Sequence, residues 1–399
     1  MKKEIYLDHA ATTYTRQEVI DSMLPYMGEA YGNPSSLHAF GARAKNAVEE
    51  ARSKIASVLH ATPGEIYFTS GGTESDNWAI KGTAQANTKH GRHIITSKIE
   101  HPAVLETCKL LAKQGYEITY LDVDAYGFID EKLLKQALRP DTVMVSIMAA
   151  NNEIGTIEPI EEIGEIIKTH STAIFHVDAV QAAGSVKYEL DKTSSIDLLS
   201  LSAHKFYGPK GIGALYIKKG TRIVPLYTGG HQERGKRAGT ENVSGIIGMA
   251  KAFELAESER DTENKRLIAL RDRLIDIIIE EIPGVHLNGH REKRLPNNVH
   301  FCFDYIEGES LLMRMDMLGI AASTGSACSS ASLDPSHVLL AIGRSHETAH
   351  GSYRMTLGKN TTMEDIEYTA ESLKSVVKQL REMSPFYNEG GESSCTAKK

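Results

Sequence analysis

Short apolar runs alternate with longer stretches of helical spacing through the first half of the chain. Ile66-Tyr67-Phe68, His93-Ile94-Ile95, Ile118-Thr119-Tyr120-Leu121, Val143-Met144-Val145-Ser146-Ile147, Ala173-Ile174-Phe175-His176-Val177 and Leu198-Leu199-Ser200-Leu201 read as strands. Within 40–60, Ala44, Ala47, Val48, Ala51, Ile55, Val58 and Leu59 form one apolar stripe, which predicts an amphipathic helix. Strands alternating with helices imply βαβ units and a mainly parallel sheet covered on both faces. The run 212–217 follows the last strand too closely for a parallel crossover, so it is expected to be antiparallel.

The texture changes further along. A long helical pattern at 245–282 stops at Pro283-Gly284. Beyond it, a strand at 299–303, a helix at 309–318 and a strand at 352–357 suggest a smaller α+β unit. Thr361 and Glu364 stand at capping-box spacing before a final helix. The expected organisation is a large domain over 15–260 and a small one over 1–14 and 261–388. Residues 389–399 are polar and rich in Gly and Ser, as in a disordered tail.

Composition narrows the class. The chain has 399 residues, 41% hydrophobic and 24% charged, enough for two globular domains. A formal net charge of -7 argues against general nucleic-acid binding. Cys108, Cys302, Cys328 and Cys395 are far apart, which points to a reducing compartment rather than a disulfide framework. The N-terminus meets Asp8 and His9 before an apolar segment can form, so no signal peptide is expected. No run is long enough to span a membrane. The expected location is the cytoplasm.

Several stretches carry candidate chemistry. In Ser202-Ala203-His204-Lys205-Phe206-Tyr207-Gly208-Pro209-Lys210-Gly211, a lysine follows the end of an apolar strand. It is either a solvated turn lysine or an amine desolvated enough to form a Schiff base. Gly71-Gly72-Thr73-Glu74-Ser75, between a strand and a helix, outlines a phosphate turn without being a P-loop. Asp178 ends a β-rich run, where a pyridoxal-phosphate enzyme needs an acid to hold the pyridine nitrogen protonated. The small-residue stretch 321–332 carries one thiol, Cys328, without large apolar neighbours, so reactivity is expected there. Cys108 and Cys302 fit a buried core. His346-Glu347-Thr348-Ala349-His350 matches a zinc-protease motif, but Gly351 and a strand follow at once. The basic loop 231–237 is either solvated or contacts an anion or a second subunit.

With these residues assembled, the chain resembles group I cysteine desulfurases of the NifS/IscS type, in the class V aminotransferase branch of pyridoxal-phosphate enzymes. The similarity extends from Tyr6 to Pro385. It rests on Gly71–Ser75, Glu100-His101, Asn151-Asn152-Glu153-Ile154-Gly155, Asp178 with Gln181, the Ser-x-His-Lys segment, Arg237-Ala238-Gly239-Thr240 and Gly325-Ser326-Ala327-Cys328. The resemblance implies transferase fold type I, with a mainly parallel seven-stranded sheet in the large domain. It implies pyridoxal phosphate on Lys205, Asp178 at the pyridine nitrogen, Gln181 at the ring hydroxyl and His101 stacked on the ring as an acid/base. Gly72, Thr73, Ser202 and His204 would hold the phosphate, with Thr240 reaching it from the other subunit of a homodimer. Asn152 would touch cofactor and substrate, and Arg354 would fork the substrate carboxylate. The implied reaction takes sulfur from L-cysteine, leaving alanine and a persulfide on Cys328. The sulfur then passes to an acceptor such as an iron–sulfur scaffold protein. No metal is required, although Cys328 could transiently ligate an iron–sulfur cluster. An aminotransferase or selenocysteine lyase on the same core, a zinc peptidase and a non-catalytic cofactor-binding module are the rival readings.

Overall fold

A two-residue strand, β1 (Ile5–Tyr6), begins the computed structural model, which describes residues 4–325, 335–385 and 387. After α1 (Gln17–Met23) comes α2 (Ala39–Val58). Its stripe of Ala44, Val48, Ala51 and Ile55 is buried, as the spacing predicts. The His38 side chain caps it by accepting the Gly41 N–H.

Seven strands then build the main sheet: β2 (Ile66–Thr69), β3 (His93–Ser97), β4 (Glu117–Leu121), β5 (Thr142–Met148), β6 (Ile174–Asp178), β7 (Leu198–Ser202) and β8 (Gly213–Ile217). Helices α3 (Gly72–Ala86), α4 (Pro102–Lys113), α5 (Glu131–Ala137) and α6 (Ile160–His170) alternate with them. The strand order is β2-β8-β7-β6-β5-β3-β4. Every pairing is parallel except those of β8, which runs antiparallel to β2 and β7 as its short connection requires. Interior strands β3, β5, β7 and β8 are buried at every residue, while the edge strand β4 is mostly half-exposed. That is the burial expected of a parallel sheet covered on both faces. Strands β2, β3, β5, β6 and β7 point the same way, so their carboxyl ends share one edge, where α/β sheets bind ligands.

This sheet belongs to the first of two units, formed by residues 12–152 and 156–262. One cluster of its core joins Trp78, Ile80, Ile94, Val104, Leu111, Met144, Leu198 and Leu215. A buried ion pair pins the loop after β8. Arg52 of α2 donates to both Glu233 oxygens, at 2.8 and 2.7 Å, and Glu233 also accepts the Phe68 N–H of β2. Both side chains are 3% exposed. The loop that reads as basic is therefore held from below by its one buried acid. Removing one partner leaves the other charge buried and uncompensated. Arg52→Ala should lower the unfolding free energy by about 3–5 kcal/mol. A shift in denaturant midpoint at constant slope checks this, and a midpoint equal to wild type contradicts it.

The second unit contains residues 1–11, 153–155 and the chain from 263 onward. The chain enters it along α7 (Val243–Glu281). Then come β9 (Val285–Leu287), β10 (Asn298–Phe303), α8 (Gly308–Met317), β11 (Ile320–Ala321), α9 (His337–Ala341), α10 (His346–His350), β12 (Ser352–Thr356) and α11 (Met363–Met383). An antiparallel sheet in the order β12-β10-β9 and the parallel pair β1-β11 pack over Leu274, Ile278, Phe301, Met315, Tyr353, Ile366 and Leu373. Glu153–Gly155 groups here although it lies in a stretch expected to be all large domain. Its carbonyls are taken by this unit: Asn298 donates to Glu153, Arg294 to Ile154 and the Leu295 N–H to Gly155. The capping box of α11 is Thr362 with Asp365, one residue later than the spacing suggests. Thr361 instead accepts the Gly358 N–H. No helix among the described residues is long and apolar enough to cross a membrane. The expected tail, 389–399, lies outside the described residues.

Candidate active site

Four neighbouring strands bring candidate groups to the carboxyl edge of the main sheet. Asp178 is the last residue of β6, and Ser202 the last of β7. His204 and Lys205 lie in the single 3-10 turn that follows β7. Across from it, β2 ends at Thr69 and α3 begins at Gly72. Register places Asp178 beside Ser200 and Ser202 beside Gly213.

The turn at Gly71-Gly72 must be bare. A Cβ on Gly72 would come within 2.6 Å of Val180 Cγ2, and one on Gly213 within 2.7 Å of Gly71 Cα. Gly71 adopts φ 154°, which favours glycine. The result is a helix N-terminus with Ser202 beside it, whose first-turn N–H groups have no acceptor within the helix.

Asp178 is buried and accepts the Val180 N–H at 2.9 Å. Burial raises its pKa, while the Lys205 ammonium works in the opposite direction. His204 is pushed down to about 4 by burial, then by Lys205 and Lys210. Its Nδ1 meets Thr12 Oγ1 at 3.1 Å. Thr13 straps the same turn, giving its hydroxyl to the His204 carbonyl and accepting the Tyr207 N–H. Tyr207 takes φ 65°, in the left-handed region.

Beneath Asp178 is a polar layer that sequence reading missed. His176, two residues earlier on β6, is fully buried between Ser146 Oγ on Nδ1 (2.8 Å) and Ser200 Oγ on Nε2 (2.9 Å). Asp76 of α3 lies 3.6 Å from His176 Nε2. Glu100 accepts the Ser97 hydroxyl at 2.6 Å and the Met148 N–H at 3.1 Å. Burial, with the Asp178 charge, drives Asp76 and Glu100 well above the ordinary carboxyl range. Burial also keeps His176 neutral, down to about 3. Of the three carboxyls, Asp178 alone has a lysine lowering its pKa, so negative charge settles on it. The available signal was polar residues interrupting apolar strand runs: Ser146, His176 and Ser200.

His101 caps α4, accepting the Ala103 N–H on Nδ1 at 3.1 Å, so the neutral ring carries its proton on Nε2. Gln181 follows β6 and Asn152 follows β5, both half-buried. Thr73 and Thr240 are exposed. Arg237, three residues before Thr240, forks Glu74 of α3 at 2.8 and 3.1 Å.

Arg354 belongs to the second unit. It is buried on β12, in register with His300 of β10, and donates to Asp8 Oδ1 at 3.0 Å. Cys328 lies outside the described residues, which stop at Gly325 and resume at Pro335. Both shoulders meet Glu153. The Ser336 hydroxyl donates to its Oε2 at 2.5 Å, and a Cβ on Gly325 would come within 2.8 Å of the same oxygen. Burial pushes Glu153 up to about 7 from an ordinary 4.5. The folded protein therefore keeps a proton that the unfolded chain releases between those values. Stability should fall as pH rises through this window and level off above it. Glu153→Gln should flatten that decline in a pH series of denaturation midpoints, and a slope equal to wild type contradicts the assignment.

The zinc-protease spacing does not build a metal site. His346 and His350 are exposed on a five-residue helix that ends at Gly351. Among the described residues, no three His, Cys, Asp or Glu side chains are grouped to hold a metal ion. Cys108 and Cys302 are buried free thiols, in keeping with their apolar settings.

The family described as Aminotransferase class-V matches residues 5–369. The chain belongs to the class V aminotransferases. Similarity to individual class V proteins is extensive. A protein named cysteine desulfurase IscS from Dictyoglomus turgidum is 58% identical over 389 residues, covering 98% of each chain. One of the same name from Clostridium botulinum is 57% identical over 391 residues, again covering 98% of each. A solved structure titled NifS-like protein superposes with a TM-score of 0.89 at 40% identity, covering 94% of this chain and all of that one. Class V aminotransferases depend on pyridoxal phosphate, and the residues here fit such a group. Gly72 and Gly213 leave no room for a Cβ at the Gly71-Gly72 turn, as a close-approaching ligand needs, and the buried acid Asp178 feels the charge of Lys205, which lowers its pKa against burial.

Proposed function

We propose that this protein is a cysteine desulfurase, taking sulfur from L-cysteine to give L-alanine and a persulfide on Cys328. The observation that carries the reading is the meeting of Lys205, Asp178 and the bare Gly71-Gly72 turn at the carboxyl ends of β7, β6 and β2. Lys205 is the attachment point for the cofactor, and Gly72, Thr73, Ser202 and His204 take its phosphate. Asp178 is the counter-ion for the pyridine nitrogen, Gln181 bonds the ring hydroxyl, and Asn152 contacts cofactor and substrate. Pyridoxal phosphate, when bound, supplies a sink for the electron pair left at Cα.

The chain's own groups do the rest. Lys205, as a neutral amine, takes the Cα proton. His101, with its proton on Nε2, exchanges a proton at the ring face. Arg354 forks the substrate carboxylate, trading part of its pairing with Asp8 for a bidentate contact. The Cys328 thiolate attacks the substrate sulfur: the S–S bond forms, the S–Cβ bond breaks, Cβ takes a proton, and Cα regains the proton that Lys205 removed, which completes alanine. The persulfide sulfur then passes to an acceptor such as an iron–sulfur scaffold, and Cys328 is a candidate transient ligand for the cluster itself. Thr240, exposed beside the Arg237–Glu74 pair, is the group offered to the other subunit of a homodimer. The buried free thiols suit a reducing compartment, and we place the protein in the cytoplasm.

Borohydride reduction of protein incubated with pyridoxal phosphate tests the anchor. Peptide mapping should find the added mass on the peptide carrying Lys205. Modification spread over surface lysines, with none at Lys205, contradicts it.

A further inference from the structure

One buried carboxyl of the second unit reaches both ends of the stretch that carries Cys328. Glu153 is 5% exposed and groups with the chain from 263 onward. On one side, the Ser336 hydroxyl donates to its Oε2 at 2.5 Å. Ser336 is also the N-cap of α9, where it accepts the Val338 and Leu339 N–H groups. On the other side stands Gly325. A Cβ there would come within 2.8 Å of the same Oε2 and 3.1 Å of His300 Cε1. Residues 326–334 connect these two points.

Gly325 is thus wedged between Glu153 and the His300 ring. Burial, then the charges of Arg354, Arg294 and Arg344, keeps that ring neutral. Neither of its nitrogens has a hydrogen-bond partner among the described residues, so it serves as a packing surface. Arg354 joins the group through the backbone. It is in register with His300 on one side, and on the other it exchanges both N–H···O bonds with Ser323, at 3.0 and 2.6 Å. Gly325 follows that pair by two residues, and Glu153 is near enough to Arg354 to feel its charge. Cys328 is three residues past Gly325, so its Cα stays within about 11 Å of the glycine's even at full extension. Fixing both ends limits where the thiol can go and raises its effective concentration near Arg354.

We propose that Glu153 is a positioning residue for sulfur transfer, holding both ends of the Cys328 stretch in one place beside β12. The inference rests on the desulfurase reading, in which Cys328 attacks a substrate whose carboxylate Arg354 holds. The tie acts on the approach of the thiol and on nothing at the Lys205 turn. Loss of the tie therefore slows the persulfide step and leaves the steps before it intact.

Single-turnover reactions of the holoenzyme test this, with alanine and the cofactor absorbance followed together after L-cysteine is added. Glu153→Ala should slow alanine formation at least about tenfold. The absorbance change should keep its amplitude and the L-cysteine concentration that gives half of it. Glu153→Gln retains an oxygen for the Ser336 hydroxyl and should recover most of the lost rate. Gly325→Ala, which forces that end away from Oε2 with Glu153 in place, should also slow alanine formation. Hydrogen exchange of the 336–341 peptide, read without substrate, should quicken in Glu153→Ala and stay near wild type in Glu153→Gln. A wild-type rate in Glu153→Ala, equal losses in the Ala and Gln variants, or unchanged exchange in Glu153→Ala overturns the proposal. So does a wild-type rate in Gly325→Ala, which decides the matter even where Glu153→Ala fails to fold. No alanine from the wild type overturns the desulfurase reading itself, whereas wild-type turnover with unaffected variants overturns this proposal alone.

Discussion

Lys205→Ala should abolish sulfide release, lowering kcat by about 10³-fold or more, and should remove the protein's visible cofactor absorbance under dilute conditions. The amine serves twice in the account, as anchor and as base. A positioned general base alone contributes about 10²–10⁴. Asp178, Ser202 and the Gly71-Gly72 turn remain in the variant, so excess pyridoxal phosphate should still protect it against thermal unfolding. Thr13 straps the turn that carries Lys205, bonding the His204 carbonyl and the Tyr207 N–H, and these bonds remain in the variant, so the fold should survive. Activity within tenfold of wild type, or an unchanged spectrum after dialysis, would mean another residue carries the chemistry.

Cys328→Ala should be equally inactive, by about 10³-fold or more, for a different reason. The groups proposed to hold the cofactor lie on the main sheet and the segments that join its strands, and the 321–332 stretch supplies none of those proposed groups. This variant should therefore show the wild-type spectrum, and the spectral change on adding L-cysteine should persist. What disappears is sulfur leaving the substrate. The contrast between the two variants separates cofactor chemistry from sulfur transfer. Retained sulfide production in Cys328→Ala with thiol reductant present would remove the persulfide step and favour an aminotransferase or selenocysteine lyase chemistry on the same core.

The main sheet was legible because strands buried on both faces leave continuous apolar runs, as at 143–147 and 198–201. The antiparallel direction of β8 followed from the length of one turn. β9 and β11 were not foreseen, since three and two residues are too few to carry a period. The α11 cap slipped by one because Thr361 and Thr362 are both followed by an acid three residues on, and only the fold shows that Thr361 is engaged by Gly358. Lys205 and Asp178 could be read as a pair because each ends an apolar run. The layer of Asp76, Glu100, His176 and their serines could not, because its members reach each other across α3, β5, β6 and β7. The same holds for Glu153. Its neighbours in the chain suggest a loop of the large domain, while its bonds run to Asn298 and Ser336, far along the sequence.

The central claim is that this chain moves sulfur from L-cysteine through Lys205 chemistry to a cysteine thiol. Its most direct test is to incubate the purified protein, supplied with pyridoxal phosphate and a thiol reductant, with L-cysteine and to quantify alanine and sulfide together. The account predicts the two in equal amounts, rising with time. A protein that binds the cofactor and yields a keto acid in place of alanine, or neither product, would contradict it.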